Sequence, residues 1–260
     1  MDTLISIQDK IRRAPELNFS DIFSKSIDLF KIVWVQGLLL QLFSIIVILP
    51  IILILYAPIL GLIISQSENG EFNPETLDSF FAGMSILYIL FLIVGFLVLG
   101  AVVLAIKAAF YRIVMKMDHN QSVSTSDFFY FLKGKYLSKT LALVLISMLI
   151  GTLAVILCVL PVFYVMVPLS FFSVMLAFNP ELSTGDIISA SFSLGNKKWL
   201  LVFGLMIVIG LILTIINYMT CGIGNLFLTA FMYLPLYLVY KQVVGFEDTS
   251  EINNIGQIEE

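Results

Sequence analysis

His119 is the single histidine of the chain, and it stands between Asp118 and Asn120. Metal-assisted hydrolysis, a Ser–His–Asp relay or a Cys–His nucleophile would each have to use it. A metal site needs several such ligands, and a relay needs a base oriented by a third group. One histidine in a polar stretch supplies neither. Cys158 and Cys221 lie in apolar surroundings with no metal-ligand spacing between them, so they read as buried thiols, with a disulfide between them near the outer face as the alternative. No catalytic constellation, cofactor site or metal site is legible. The chain is read as a non-enzyme.

The next candidates are polar groups inside apolar runs. No Asp, Glu, Lys, Arg or His falls at the middle of any apolar run. Ion-coupled transporters keep such groups there, because a charge in lipid is costly to hold. Gln41, Ser44, Ser147, Thr152, Thr214 and Asn217 remain. Serine and threonine can bond their own helix backbone. Gln41, Asn217 and Asn225 are expected to make interhelical polar contacts or to touch a solute. Lys107, Arg112 and Lys116, interleaved with aromatic and aliphatic residues, read as an interfacial helix suited to anionic lipid headgroups. Trp34 and Trp199 read as interfacial anchors.

Elements that could hold these groups follow from hydropathy. Hydrophobic residues make up 60% of the chain and charged ones 12%, about half the charged share of a soluble domain. So few charges cannot cover that much apolar surface, whereas a bilayer is itself the apolar solvent. Six spans are expected, at about 33–56, 81–106, 141–160, 163–178, 199–219 and 225–240. Pro50 and Pro58 are expected to kink or end the first. Asn73-Pro74-Glu75 reads as the helix start before the second. Pro161 and Pro168 are expected to separate the third span from the fourth, and Cys221-Gly222 the fifth from the sixth. Residues 241–260 read as a disordered acidic cytoplasmic tail. The first 31 residues carry ten charges and no signal-peptide core, so the N-terminus is expected to stay on the mature chain.

Charge sets the expected orientation. With the spans alternating, all 14 Lys and Arg fall on the side of both termini. The 66–80 loop on the other side holds four acids and no base. The positive-inside rule places both termini in the cytoplasm. The mild net charge of −4 gives no support to nucleic-acid binding.

A repeat runs through the inner segments. Asp21, Ile22, Ser24, Ser26 and Leu29 match Asp186, Ile187, Ser189, Ser191 and Leu194 without a gap, and Trp34 and Trp199 follow at equal spacing. A weaker copy begins at Ser126-Asp127-Phe128. Phe19, Ile22, Phe23, Ser26, Ile27 and Phe30 recur at helical spacing and form one largely apolar face. The fold class expected is an all-α membrane protein: six transmembrane helices as three parallel units, each an interfacial amphipathic helix plus a transmembrane hairpin. The apolar face of each lead-in is expected to lie against the acyl boundary. Ala101, Ala105 and Ala109 form a small-residue stripe suited to close packing inside the protein.

Between Pro161 and Trp199 the chain carries paired prolines, Asn179-Pro180-Glu181, Ala190-Ser191-Phe192 and Lys197-Lys198-Trp199. That run resembles uncharacterised bacterial six-helix membrane proteins related to the membrane domain of glycerophosphodiester phosphodiesterases. The resemblance implies a multi-pass protein of the bacterial cytoplasmic (inner) membrane. In the fused enzymes a separate soluble domain carries the catalysis, so phosphodiesterase activity is not implied here. Two functional classes stand foremost. One is a component that organises lipids or a membrane or cytoplasmic protein partner. The alternative is a transporter or channel for an uncharged or amphipathic solute. The lipid bilayer is the one partner common to both.

Overall fold

The computed structural model describes residues 3–69, 86–157 and 159–246. Among the described residues the regular structure is helical, with no strand. In hydrocarbon every backbone N–H and C=O must be satisfied within the chain, and a helix does so inside one segment. A short amphipathic helix, α1 (Leu4–Arg12), is capped by Thr3, whose hydroxyl accepts from the Ser6 N–H at 3.4 Å. The long helix α2 (Phe19–Asn69) and α3 (Ile86–Asp118) follow. A 3-10 helix (Thr125–Leu132) leads into α4 (Gly134–Ile156), then α5 (Val159–Ser170) and α6 (Phe172–Phe178). The last third holds α7 (Thr184–Lys197), α8 (Trp199–Met219), α9 (Gly224–Leu228), a second 3-10 helix (Thr229–Tyr233) and α10 (Leu234–Val243).

Six helical segments among the described residues are long and apolar enough to cross a membrane: Phe19–Tyr56, Tyr88–Asp118, Gly134–Ile156, Val159–Phe178, Trp199–Met219 and Gly224–Val243. Several expectations are corrected in detail. Helix α2 runs unbroken through Pro50 and Pro58. Away from water, neighbouring helices and small local adjustments can satisfy the carbonyl that a proline frees. The break before the fourth span falls ahead of Pro161, which sits in the first turn of α5, where a missing N–H costs little. Pro168 lies inside α5, and the chain breaks three residues later, at Phe171. The sixth span is built from three short pieces, with Pro235 in the first turn of the last. Its turn uses Cys221 (φ 50°) and Gly222 (φ 91°) in the left-handed region, and Cys221 is exposed there, not the buried thiol expected from its apolar surroundings. The expected helix start at Asn73, span residues 81–85, Cys158 and the tail from 247 lie outside the described residues.

Helix α3 is the centre of the packing. It lies against α2, the first 3-10 helix, α4 and α6. Ala101, Ala105, Ala108 and Ala109 are buried, as are Phe110, Tyr111, Ile113 and Val114. The small-residue stripe thus serves internal packing. Helix α3 continues well past the expected end at 106, so Lys107, Arg112 and Lys116 lie on a largely buried helix and not on a separate surface one.

The lead-in segments also turn inward. The first is continuous with its span, within α2. Phe23 and Phe30 meet Phe231 edge-on, with ring centroids 6.1 and 5.5 Å apart. Ile22, Ser26 and Leu29 are buried, and so are their repeat partners Ile187, Ser191 and Leu194. The apolar face therefore packs on the protein itself, while Phe19 and Ile27 stay partly exposed at its margin. Along the spans many large aliphatic side chains face outward, among them Ile46, Leu53, Leu149 and Leu211.

Candidate functional site

Charged residues at the ends of α3, α4 and α10 and in the α6–α7 turn meet in ion pairs and form a polar face. Lys116 at the end of α3 pairs with Asp127 of the 3-10 helix at 2.9 Å. Asp127 also accepts from the Ser124 N–H at 3.0 Å, closing a capping box. Burial pushes the Asp127 carboxyl up, but Ser124, Lys116 and Arg112 together outweigh it and hold the carboxyl below its usual range. Asp118 accepts from the Tyr237 hydroxyl and from Lys241 Nζ, each at 2.6 Å, and so fastens α10 to α3.

The turn between α6 and α7 is held in the same way. Lys139 Nζ donates to the carbonyls of Pro180 (2.6 Å) and Leu182 (2.8 Å). Lys135 pairs with Glu181 at 2.9 Å and keeps its carboxyl below the ordinary value. Asn179 Nδ2 donates to the Tyr240 hydroxyl at 2.8 Å. Ser183 caps α7: its hydroxyl accepts from the Asp186 N–H and donates to the Asp186 carboxylate at 2.7 Å. Gly245 (φ 74°) ends α10 and turns the chain so that Phe246 lies on Phe178, with centroids 4.7 Å apart.

Between these elements lies a cavity of about 620 Å³. Its wall is formed by the start of α1, Arg112 and Met115 of α3, the α6–α7 turn, Tyr240 and Phe246. Most of the lining is apolar, and the polar groups are few, an arrangement typical of small-molecule sites. Arg112 lays its guanidinium on the Tyr130 ring, 3.9 Å from the centroid, and 5.8 Å from that of Phe131. Hydrogen bonding to Tyr136, with Arg112 and Lys133 adding to it against burial, keeps the Tyr130 phenol below its ordinary value.

The residues singled out from sequence fall in different places. Lys107 lies over the Tyr233 ring at 5.2 Å, Arg112 on the cavity wall, and Lys116 in its ion pair. All three therefore have partners within the protein. Gln41, Asn217 and Asn225 do not line the cavity. Among the described residues no hydrogen bond joins them. Asn225 bonds locally to Thr229, while Asn217 Oδ1 is buried without a partner. Trp199 donates from Nε1 to the Tyr164 carbonyl at 3.0 Å and stacks on Phe203, whereas Trp34 is 44% exposed. His119 sits in an exposed turn, its Nδ1 2.8 Å from the Met115 carbonyl. Among the described residues no group of His, Cys, Asp and Glu could hold a metal ion.

Sequence reading missed Gln36, whose Oε1 is buried without a partner. It also assigned no site role to Asn179, Glu181, Asp186 or Tyr240. A signal existed for Asn179 and Glu181, since Asn179-Pro180-Glu181 interrupts two apolar runs. Nothing in the local pattern marked Tyr240 as their neighbour.

Six apolar helices and outward aliphatic side chains make this a multi-pass, all-α membrane protein. Set against family models, curated proteins and solved structures, the chain matches none.

Proposed function

We propose that the protein is a non-enzymatic component of a bacterial cytoplasmic membrane, with both termini inside, that organises lipids or a partner protein. The carrying observation is the close packing around α3. There the alanines and aromatic residues of α3 close against their neighbours, and Tyr111 and Phe110 have no exposed surface. A solute pathway needs polar side chains converging on a passage. Gln41, Asn217 and Asn225, the groups that would supply them, do not line the cavity and, among the described residues, do not hydrogen-bond one another. The distribution of Lys and Arg supports the orientation, and the Pro161–Trp199 run supports the kinship to the bacterial six-helix proteins.

Reconstitution into vesicles tests the non-transport reading. Uncharged and amphipathic solutes should cross no faster than in empty vesicles, while the extracted protein should retain lipid or a partner through mild-detergent purification. Selective, protein-dependent flux would overturn it. For orientation, Cys158 and Cys221 are replaced by serine and single cysteines are placed at Glu71 and Ser250. In intact cells a membrane-impermeant reagent should label position 71 and spare position 250; the reverse pattern would invert the topology.

A further inference from the structure

Arg112 differs from its neighbours on the polar face. Lys116, Lys135 and Lys241 each have a carboxylate partner. Arg112 has none within ion-pairing distance among the described residues, although its charge reaches Asp127; its guanidinium lies on the rings of Tyr130 and Phe131. Stacking uses the face of a guanidinium and leaves its N–H edge to donate, and a planar fork of donors suits a phosphate or carboxylate. A half-buried cation with no carboxylate in direct contact can still take an incoming anion as a close partner.

The two acids on the same cavity wall are already engaged, Glu181 by Lys135 and Asp186 by Ser183. An anion approaching Arg112 therefore breaks no ion pair. A ligand head that also carries a donor, an ammonium or hydroxyl, is favoured over a bare anion, because it meets the Asp186 carboxylate on that wall. Phe178, Phe246, Leu4 and Met115 supply apolar wall beside them. They would be wasted on a wholly polar ion and suit an apolar stem. A volume of about 620 Å³ lies within the range of sites for drug-sized ligands.

We propose that this cavity binds the head of a phosphate-bearing amphiphile that also carries a hydrogen-bond donor, with Arg112 contacting the phosphate. The inference rests on the lipid-organising reading and deepens it. The same head chemistry occurs in a membrane phospholipid and in a free phosphate ester.

The test uses the full chain, stripped of lipid in mild detergent, and measures binding by native mass spectrometry and by ligand-induced thermal shift. The probes are phosphatidylethanolamine, diacylglycerol with the same acyl chains, and phosphoethanolamine. One phosphatidylethanolamine should bind per chain, and diacylglycerol should not. Arg112→Gln should weaken binding by about tenfold or more. Because Arg112→Gln also loses the stacking on Tyr130, a second variant, Leu4→Trp, fills the cavity from its rim and leaves Arg112 in place; it should lose binding too. Phosphoethanolamine bound with the same Arg112 dependence would assign the site to a soluble ester, within the proposal. Equal binding of diacylglycerol, or wild-type affinity in both variants, would overturn the cavity site and leave lipid organisation standing. A chain that holds no lipid at all would remove both.

Discussion

A Cβ built on Gly195 would come within 2.6 Å of the Pro168 Cα and 2.9 Å of its nitrogen. Helices α7 and α5 thus cross with backbone against backbone, and glycine is what lets them meet. The obstruction is main chain on a proline, so no rotamer change relieves it. Gly195→Ala should lower stability by about 1–3 kcal/mol, the usual range for overpacking a core. Thermal unfolding in detergent, following tryptophan fluorescence, reads this directly; an unchanged midpoint would mean that the crossing is looser than described.

Gly37 makes a different kind of contact. Its added Cβ would lie 2.5 Å from the Ala230 Cβ, side chain against side chain. Gly37→Ala should therefore destabilise alone and recover when combined with Ala230→Gly, because the second change removes the obstructing atom. The double mutant should lie nearer wild type than the sum of the single changes, a coupling of about 0.5–3 kcal/mol. Strict additivity would separate the two positions.

The Lys116–Asp127 pair makes stability depend on pH. The Asp127 carboxyl sits below its ordinary range when folded, so the unfolded chain binds the proton more readily. Stability from this group is present above its unfolded value, near about pH 4, and is lost as pH falls through the folded value. Acidification from about pH 7 to about pH 3 should cost the wild type more than Asp127→Asn. Parallel melting curves over that range check the sign.

Asn217 carries a buried Oδ1 with no hydrogen-bond partner, so its amide is a liability to stability where it stands. Asn217→Leu should be neutral or stabilising, within about 0.5 kcal/mol of wild type or above it. A loss of more than about 2 kcal/mol would instead mark Asn217 as interhelical glue. The same midpoint measurement distinguishes the two outcomes.

Much of the architecture was legible because it is written locally. Long apolar runs, the turn at Cys221-Gly222 and the absence of charge inside the runs are properties of neighbouring residues. Helix α8, Trp199–Met219, covers the run that hydropathy marks out. Prolines misled for a physical reason. Pro50 and Pro58 break helices in water, but in hydrocarbon the alternatives to a helix are worse.

Sequence by itself determined that this chain is helical and apolar along its runs, with its charges between them, since side-chain polarity and helical period need no knowledge of neighbours. Only the tertiary structure decided which way the amphipathic lead-ins face. Phe23 could equally have met lipid, and it packs instead edge-on against Phe231, some two hundred residues on. The same holds for the basic residues of α3. Lys107, Arg112 and Lys116 read as one lipid-facing group along the chain. In space they acquire three different partners, Tyr233, Tyr130 and Asp127. A cation's role depends on what stands within a few ångströms of it, and the fold alone sets that distance.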